Sequence, residues 1–265
     1  MNCIGNFDSQ SALFTPEKMG DEVEDISVDT DEIKSTFNSS MSIKAPESGY
    51  LRYISSESLM GIISRNEAMC ELFYRPGNYM VRNAEIGLLY FNEEIAPEDL
   101  ERIPAQFVVG QTKTSQQDLE FSIHQMVEIA LRALSPGVND PYTAIACIDN
   151  LTATMSYLAQ VKFPSKYRFD EDRSLRIIAH NLDFEGVLNA AFNQIRQFSG
   201  GSTAVIIKLM EALITIKAFA KKASYRQVVI KHAEMVLRVG KETITEKNDI
   251  ADLIERSKKI LPHHA

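Results

Sequence analysis

The sequence has 265 residues, of which 45% are apolar and 24% are charged, and its formal net charge at pH 7 is −8. This length and composition are typical of one or two globular domains with apolar cores. The acidic balance argues against a nucleic-acid-binding protein, because contacts with phosphates require clustered lysine and arginine.

The sequence also lacks the patterns of export and of membrane insertion. The longest nearly apolar stretches lie between residues 204 and 220 and are interrupted by Lys208, Glu211 and Lys217. None reaches the roughly 18 to 20 apolar residues of a membrane span. The three cysteines share no metal or redox spacing, which favours reduced, buried thiols. We therefore expect a soluble chain in the cytoplasm or at the cytoplasmic face of a membrane.

Residues 1–44 have the composition of an acidic tail. Serine, threonine, asparagine and aspartate are frequent, and Lys18 is the only base within an acidic run from residue 17 to residue 32. Such a segment buries too little apolar surface to offset the entropy lost on ordering it. We expect a mobile or loosely docked tail whose few apolar residues suit one short amphipathic helix.

The pattern of residues 45–112 predicts short strands separated by turns. The segment 49–54 alternates as a half-buried strand does, and the segments 69–74 and 86–91 are predicted to be further strands. Arg75–Asn78 holds the proline, glycine and asparagine of a tight turn. This succession resembles the barrel-sandwich layout of biotinyl and lipoyl carrier modules in topology only, since no lysine lies in a tight hairpin. We expect a small, structural β-rich domain.

Residues 113–265 are predicted to form an all-α bundle of about six helices. Ser115 and Asp118 form a variant capping box for the first long helix, whose apolar stripe starts at Ile123 and ends at Leu134. Later, residues 163–173 indicate a polar link, and Gly240 is predicted to end the penultimate helix. The predicted fold class is thus α+β: a small barrel-sandwich-like domain followed by an all-α helical bundle with a central αα-hairpin.

The turn of this hairpin concentrates helix-breaking and helix-capping residues. Ser135 precedes Pro136 and is pushed out of the helical region, and Gly137 is predicted to take the left-handed conformation that ends helices. Asp140 followed by Pro141 predicts the N-cap and the first residue of the second helix. These signals predict two antiparallel helices joined by a short turn.

The hairpin region also resembles a known family. The residues that carry the resemblance are the run 129–144, the neighbouring segments 117–121 and 147–149, and supporting matches at 48–50, 75–78 and 191–197. Together they closely resemble the bacterial predicted membrane proteins called the domain of unknown function 2254 family, over about residues 45–220. That family has no established activity, so the resemblance implies a membrane-linked context and no mechanism.

Two features depart from the pattern of that family. Its members carry transmembrane helices ahead of this region, where this sequence has the acidic tail. We therefore expect either the soluble part of a longer protein or a membrane-free relative, with any membrane contact made through a missing or separate transmembrane part. Lys113 stands where the family more often has arginine, which retains the charge.

Polar residues at the hairpin exceed what a helical turn requires, and we take them as the candidate ligand site. They are Lys113, Asp118, Arg132, Ser135, Asn139, Asp140, Tyr142 and Thr143. Two cations and the N–H groups at a helix start suit a small anionic ligand, although the carboxylate of Asp140 caps the same N–H groups. A pair with Glu128 and the helix dipole explain Arg132 equally well. The leading interpretation is a non-catalytic sensing or regulatory module that binds a small ligand.

Two other functions stay open. A hydrolase-type enzyme would use Asp118, Asp140 or Asp149 as general base and Arg132 as charge stabiliser, which requires a carboxylate of raised pKa beside a pocket. An oligomerisation or assembly domain would bury the hairpin against a second copy of the chain or a membrane partner. The histidines lack metal-ligand spacing, so we expect neither a metal nor another cofactor.

Overall fold

The computed structural model describes residues 29–113 and 119–261 and confirms the α+β class. The chain divides into two compact units. Of the described residues, the first unit comprises those up to 121 together with 164–182, and the second comprises 122–163 together with those from 183 to 261. Each unit is therefore built from two separate stretches of the chain.

In the described residues, the first unit contains short strands and three short α-helices. The strands are β1 (Ser39–Lys44), β2 (Gly49–Ile54), β3 (Met69–Leu72), β4 (Tyr79–Met80), β5 (Glu85–Phe91), β6 (Phe107–Gly110), β7 (Tyr167–Phe169) and β8 (Leu175–Ile178). The helices are α1 (Thr30–Ser35), α2 (Ser56–Arg65) and α3 (Pro97–Arg102). The predicted strand over residues 49–54 thus coincides with β2.

The strands form two sheets, with the orders β1-β5-β3-β8-β7 and β4-β2-β6. Neighbouring strands are antiparallel except β3 and β8, where Cys70 pairs in parallel with Ile177 and Glu71 pairs with Ile178. A parallel pair needs a long crossover between its strands, and here about a hundred residues intervene. This pairing is what brings residues 164–182 into the first unit.

One apolar core is shared by strands of both sheets and by α2. Leu51, Leu59, Met80 and Leu89 are fully buried within it. Cys70 is a buried free thiol in the same core, and burial raises the pKa of that thiol. Cys147 of the second unit is also a buried free thiol, so the predicted burial is confirmed for both.

Residues 29–44, which the composition assigns to the acidic tail, take part in the first unit. β1 pairs with β5 along its length. Ile33 and Phe37 pack against the buried cluster that contains Met69, and Lys34 Nζ lies 2.9 Å from Glu71 Oε1. Two apolar side chains therefore anchor this segment to the first unit, although its average composition is polar and acidic. The rest of the predicted tail, residues 1–28, lies outside the described residues.

The segment 163–173, expected to be a polar link, contains β7. Arg168 pairs with Ile177 of β8, and both Arg168 and Phe169 are buried. The polar residues of the segment instead make the turn between β7 and β8, where the carboxylate of Asp170 accepts hydrogen bonds from the Ser174 N–H and from Arg176 Nε. The average polarity of the segment did not reveal the strand, because its polar residues are concentrated in the turn that follows two buried strand residues.

From residue 119 onward the described α-helices resemble the predicted bundle. They are α4 (Leu119–Leu134), α5 (Pro141–Leu158), α6 (Phe184–Phe198), α7 (Thr203–Phe219), α8 (Ala223–Thr243) and α9 (Lys247–Ser257). The predicted capping box at Ser115 and Asp118 lies outside the described residues. Helix α7 packs against α5 and α8 and buries residues along most of its length, including Leu209, Met210 and Leu213.

Helix α8 continues past Gly240, where the sequence predicts its end. A Cβ atom added at Gly240 would collide with the Leu253 side chain of α9. The glycine therefore permits two helices to approach closely, and the prediction of a helix end was wrong because glycine serves both purposes. At the start of α6, Asp183 Oδ1 accepts the Gly186 N–H at 2.7 Å, so Asp183 is the N-cap of that helix.

Candidate functional site

The hairpin between α4 and α5 is closed by backbone hydrogen bonds. The Asp140 N–H donates to the Ala133 carbonyl at 2.8 Å, and the Asn139 N–H donates to the Ser135 carbonyl at 2.9 Å. Asn139 has a φ of 48°, whereas Gly137 does not take a positive φ. The prediction for Gly137 was therefore wrong. Asparagine tolerates the left-handed region better than most residues, because its short polar side chain can form local hydrogen bonds.

Asp140 is the N-cap of α5, as the sequence predicts. Its Oδ2 accepts the Thr143 hydroxyl at 2.6 Å, and its Oδ1 accepts the Thr143 N–H at 3.1 Å. Hydrogen bonds from the Thr143 side chain, and then from the Thr143 and Tyr142 N–H groups, lower the pKa of Asp140. A carboxylate with a lowered pKa is a weak general base, and this one occupies the helix start that an anion would need.

The other predicted site residues of the hairpin differ in their exposure to solvent and in their contacts within the protein. The Ser135 hydroxyl donates to the Arg132 carbonyl at 2.7 Å, which is a turn contact. The Arg132 side chain is 76% exposed and lies 3.7 Å from Glu128. Asn139 and Tyr142 are also exposed, Tyr142 by 81%. The structure thus gathers these residues at one turn, and ligand binding by them stays a prediction.

Two predicted site residues are not seen at the hairpin. Lys113 belongs to the first unit, where its Nζ lies 5.5 Å from the centre of the Tyr50 ring. Asp118 lies outside the described residues. The carboxylate of Asp149, named with the hydrolase alternative, pairs with Lys208 Nζ at 2.5 Å. The described acidic side chains of that alternative are therefore held by a cap or by an ion pair.

A groove lies between α5 and α7, outside the hairpin turn. We call it the α5–α7 groove; its volume is about 520 Å³, and it is lined by Asp149, Thr152, Ala153, Ser156, Tyr157, Gln160, Thr215 and Phe219. The lining residues of α5 recur at helical spacing and so form one face of that helix. The volume falls within the range of small-molecule sites.

The groove combines two aromatic side chains with several hydroxyl groups. Tyr157 is 43% exposed and Phe219 is 46% exposed. The hydroxyls of Thr152 and Thr215 donate to carbonyls of their own helices, which leaves their oxygens as acceptors. The buried hydroxyl of Ser156 has no hydrogen-bond partner among the described residues. The groove therefore offers donors, acceptors and aromatic faces, and its rim carries the neutral Asp149–Lys208 pair.

A polar row between α6 and α8, which we call the α6–α8 ladder, was not singled out in the sequence. It comprises Glu185, Asn189, Asn193 and Arg196 of α6 and Lys231 and His232 of α8. Lys231 Nζ pairs with Glu185 Oε1 at 2.9 Å, and Asn189 Oδ1 lies 3.0 Å from both His232 Nε2 and Asn193 Nδ2. The signal in the sequence is the spacing of the four α6 residues, which places them on one side of the helix.

His232 is almost completely buried in this ladder, with 1% of its surface exposed. Burial, aided by the charges of Arg196 and Lys231, lowers the pKa of His232 to about 4, with Glu185 acting in the opposite sense. The imidazole is therefore neutral at pH 7. With Asn189 Oδ1 as acceptor, Nε2 carries the proton, and Nδ1 has no hydrogen-bond partner within the described residues.

Comparisons with known proteins identify one family and several uncharacterized relatives. A family model described as "Predicted membrane protein (DUF2254)" matches residues 8–215. Uncharacterized proteins of Mycobacterium bovis and Mycobacterium tuberculosis are each 29% identical over 212 residues, which cover 78% of this chain and 40% of the relative. The chain thus spans 40% of the length of these curated relatives. No solved structure matches it significantly. Across residues 29–113 and 119–261, no helix is long and apolar enough to cross a membrane.

Proposed function

Because the chain belongs to the DUF2254 family of predicted membrane proteins, we propose that it is a non-catalytic, ligand-binding regulatory module of a membrane-associated protein. The relatives are more than twice as long as the matched region, so other parts of such a protein would carry the membrane attachment. We place the module at the cytoplasmic face, in keeping with its free, buried thiols. The α5–α7 groove supports this proposal best.

The chemistry of the groove favours a small uncharged ligand. Its carboxylate is already neutralised by Lys208, so no lone charge attracts an ion. The hydroxyl of Ser156 lacks a partner within residues 29–113 and 119–261, and a buried donor without an acceptor is costly. Tyr157 and Phe219 expose ring surface on which a flat or cyclic molecule can lie. We therefore expect a ring-bearing molecule with hydroxyl or carbonyl groups.

A groove-filling variant tests the location of this site. A set of sugars, nucleosides and cyclic amides is screened by thermal shift, and the affinity of each hit is measured by calorimetry. Ala153→Leu should abolish binding, because the larger side chain fills the groove while leucine remains a strong helix former. Ala146→Leu, also exposed on α5 and outside the groove lining, is the matched control and should bind normally.

The same experiment separates the groove from the hairpin. Tyr142→Ala and Arg132→Gln alter two exposed hairpin side chains without touching the groove lining. Loss of binding in these variants, with normal binding by Ala153→Leu, would move the site to the hairpin. A set in which no compound raises the melting temperature would count against a ligand-binding module altogether.

A second candidate function is assembly through the hairpin. Ile129, Val138 and Tyr142 expose 47%, 61% and 81% of their surfaces within one helical hairpin. Clustered exposed apolar side chains are a common mark of protein–protein contact. Light scattering after size exclusion should then show a homo-oligomer that Val138→Ser and Tyr142→Ser shift towards monomer. A strict monomer at all concentrations tested would contradict this function.

A further inference from the structure

We propose that the outer side of the sheet β4-β2-β6 docks on the surface of an anionic phospholipid membrane. We call this surface the β4-β2-β6 face, and its members are Tyr50, Arg52, Tyr53, Tyr79, Val81 and Lys113. The inference rests on the membrane-associated part of the proposed function and assigns membrane contact to this module itself. It uses none of the residues that line the α5–α7 groove.

Strand pairing places the tyrosines of this sheet on one side. Directly opposite residues of antiparallel strands project from the same side of a sheet, and Tyr50 is opposite both Tyr79 of β4 and Gly110 of β6. Tyr53 is opposite Val108, which lies two residues before Gly110 and so shares its side. A register shift in β2 allows two tyrosines three residues apart to share a side, because a β-bulge adds one residue to one strand.

The other side of the same sheet faces the core. Leu51 and Met80, which neighbour the outward tyrosines along their strands, are fully buried in the core of the first unit. On the outer side, Tyr53 and Tyr79 are 38% and 53% exposed, and Val81, two residues beyond Tyr79, is 57% exposed. The β4-β2-β6 face therefore presents aromatic and aliphatic surface to solvent.

Two cations lie at this aromatic surface. Lys113 Nζ is 5.5 Å from the centre of the Tyr50 ring, and Arg52 Nη2 donates to the Thr112 hydroxyl oxygen at 3.3 Å. The Arg52 guanidinium lies against Gly110, where an added Cβ atom would collide with it. Because Gly110 is opposite Tyr50, these contacts bring both cations beside the same tyrosine.

The charge of this sheet contrasts with that of the whole chain. The chain has 36 aspartates and glutamates and a net charge of −8, yet β2, β4 and β6 contain no acidic residue. Within residues 29–113 and 119–261, neither Arg52 nor Lys113 forms an ion pair with a carboxylate. The face is therefore locally positive, and charge complementarity favours an anionic surface as its occupant.

The chemistry of the face matches the surface layers of an anionic membrane. Tyrosine has an apolar ring and a polar tip and is favoured at the level of the lipid headgroups. Lysine and arginine are attracted to anionic headgroups, and an exposed valine can enter the boundary with the acyl chains. Two cations supply fewer phosphate contacts than nucleic-acid binding requires, so the lipid surface is the better occupant.

The first experiment measures binding of the whole chain to vesicles. Phosphatidylcholine vesicles with and without phosphatidylserine are sedimented with the chain at low ionic strength, and we expect binding only where phosphatidylserine is present. Lys113→Gln should weaken binding about fivefold, as expected for the loss of one cation at an anionic surface. Lys241→Gln makes the same change at an exposed position of α8 and should bind as the unaltered chain does.

The apolar part of the face is tested in the same assay. Val81→Ser should weaken binding several-fold, because serine removes aliphatic surface that would enter the lipid boundary. Phe198→Ser alters an apolar side chain of α6 that is also 57% exposed, and it should leave binding unchanged.

The second experiment identifies the side chain that meets the lipid. The chain contains no tryptophan, so Tyr79→Trp introduces a single indole into the face. Its fluorescence emission should shift to the blue when phosphatidylserine vesicles are added, because the indole leaves water for the headgroup region. Phe198→Trp places the indole on α6 instead and should show no shift.

The inference is overturned if the chain sediments with neither kind of vesicle or equally with both. It is also overturned if Lys241→Gln weakens binding as much as Lys113→Gln, or if the emission of Tyr79→Trp does not respond to vesicles. A blue shift of Tyr79→Trp with rising protein concentration, in the absence of vesicles, would instead make the face a contact between copies of the chain. The ligand screen of the α5–α7 groove contains no vesicles, so its failure is distinguishable from failure of membrane docking.

Discussion

His232 shows how the position of one side chain sets its protonation and ties stability to pH. Its pKa of about 4 in the folded chain lies below the ordinary value of 6.5, so the unfolded chain takes up the proton first as the pH falls. The contribution of neutral His232 to the free energy of unfolding is fully present above about pH 6.5 and is lost as the pH falls towards 4. From these two values, the loss between pH 7 and pH 5 is on the order of 2 kcal/mol.

We expect His232→Gln to flatten this pH dependence, because glutamine does not titrate. The free energy of unfolding is measured in urea at pH 5, 6, 7 and 8 for both chains, and the difference between their slopes removes the contribution of the carboxylates. His124→Gln alters an exposed histidine of α4 and should leave the slope unchanged. Equal slopes for the original chain and His232→Gln would show that His232 is not held neutral.

At the scale of single elements, the start of α5 separates a capping role of Asp140 from a ligand-binding role. Both of its carboxylate oxygens accept hydrogen bonds from Thr143. Asp140→Ala removes these acceptors and should lower the melting temperature by about 2–4 °C, whereas Asp140→Asn should change it little because asparagine caps helices as well as aspartate does. Thermal unfolding followed by circular dichroism measures both changes.

The pair of Asp140 variants also bears on function. If the residue only caps α5, Asp140→Asn should bind the ligand found for the chain with unchanged affinity. A stable Asp140→Asn chain that no longer binds would instead give the carboxylate a direct role in ligand binding, as the sequence predicts for the hairpin. An Asp140→Ala chain as stable as the original would contradict the cap itself.

Elements were predictable where their signals are local. Alternation over residues 49–54 matches β2, and the Asp140–Pro141 pair marks the first turn of α5. Residues that are compatible with two different structures predicted the elements less well. Gly240 indicates a helix end as readily as a close helix approach, and only the neighbouring Leu253 distinguishes them. The same limit applies to sites: the spacing of Asn189 and Asn193 is visible in the sequence, but the contact of Asn189 with His232 of α8 is not.

At the scale of the whole molecule, the parallel pairing of β8 with β3 was beyond the reach of local patterns. Residues 177–180 are compatible with a short strand or a helical turn, because a brief apolar run fits either. The choice is made by contacts about a hundred residues away, where Ile177 pairs with Cys70 and enters the core of the first unit. The stretch that holds Ile177 is therefore bounded on both sides by helices of the other unit.

This arrangement predicts which amides lose protection when Ile177 is truncated. Ile177 is fully buried, so Ile177→Ala should cost roughly 2–5 kcal/mol. Because its partners are strands of the first unit, hydrogen exchange should accelerate in β2, β3, β5 and β8, while amides in α7 and α8 keep their protection. Leu213→Ala, a fully buried truncation in α7, should give the reverse pattern. If Ile177→Ala instead accelerates exchange first in α7 and α8, then residues 164–182 draw their stability from the helices that flank them in sequence, and the division of the chain into two units is wrong.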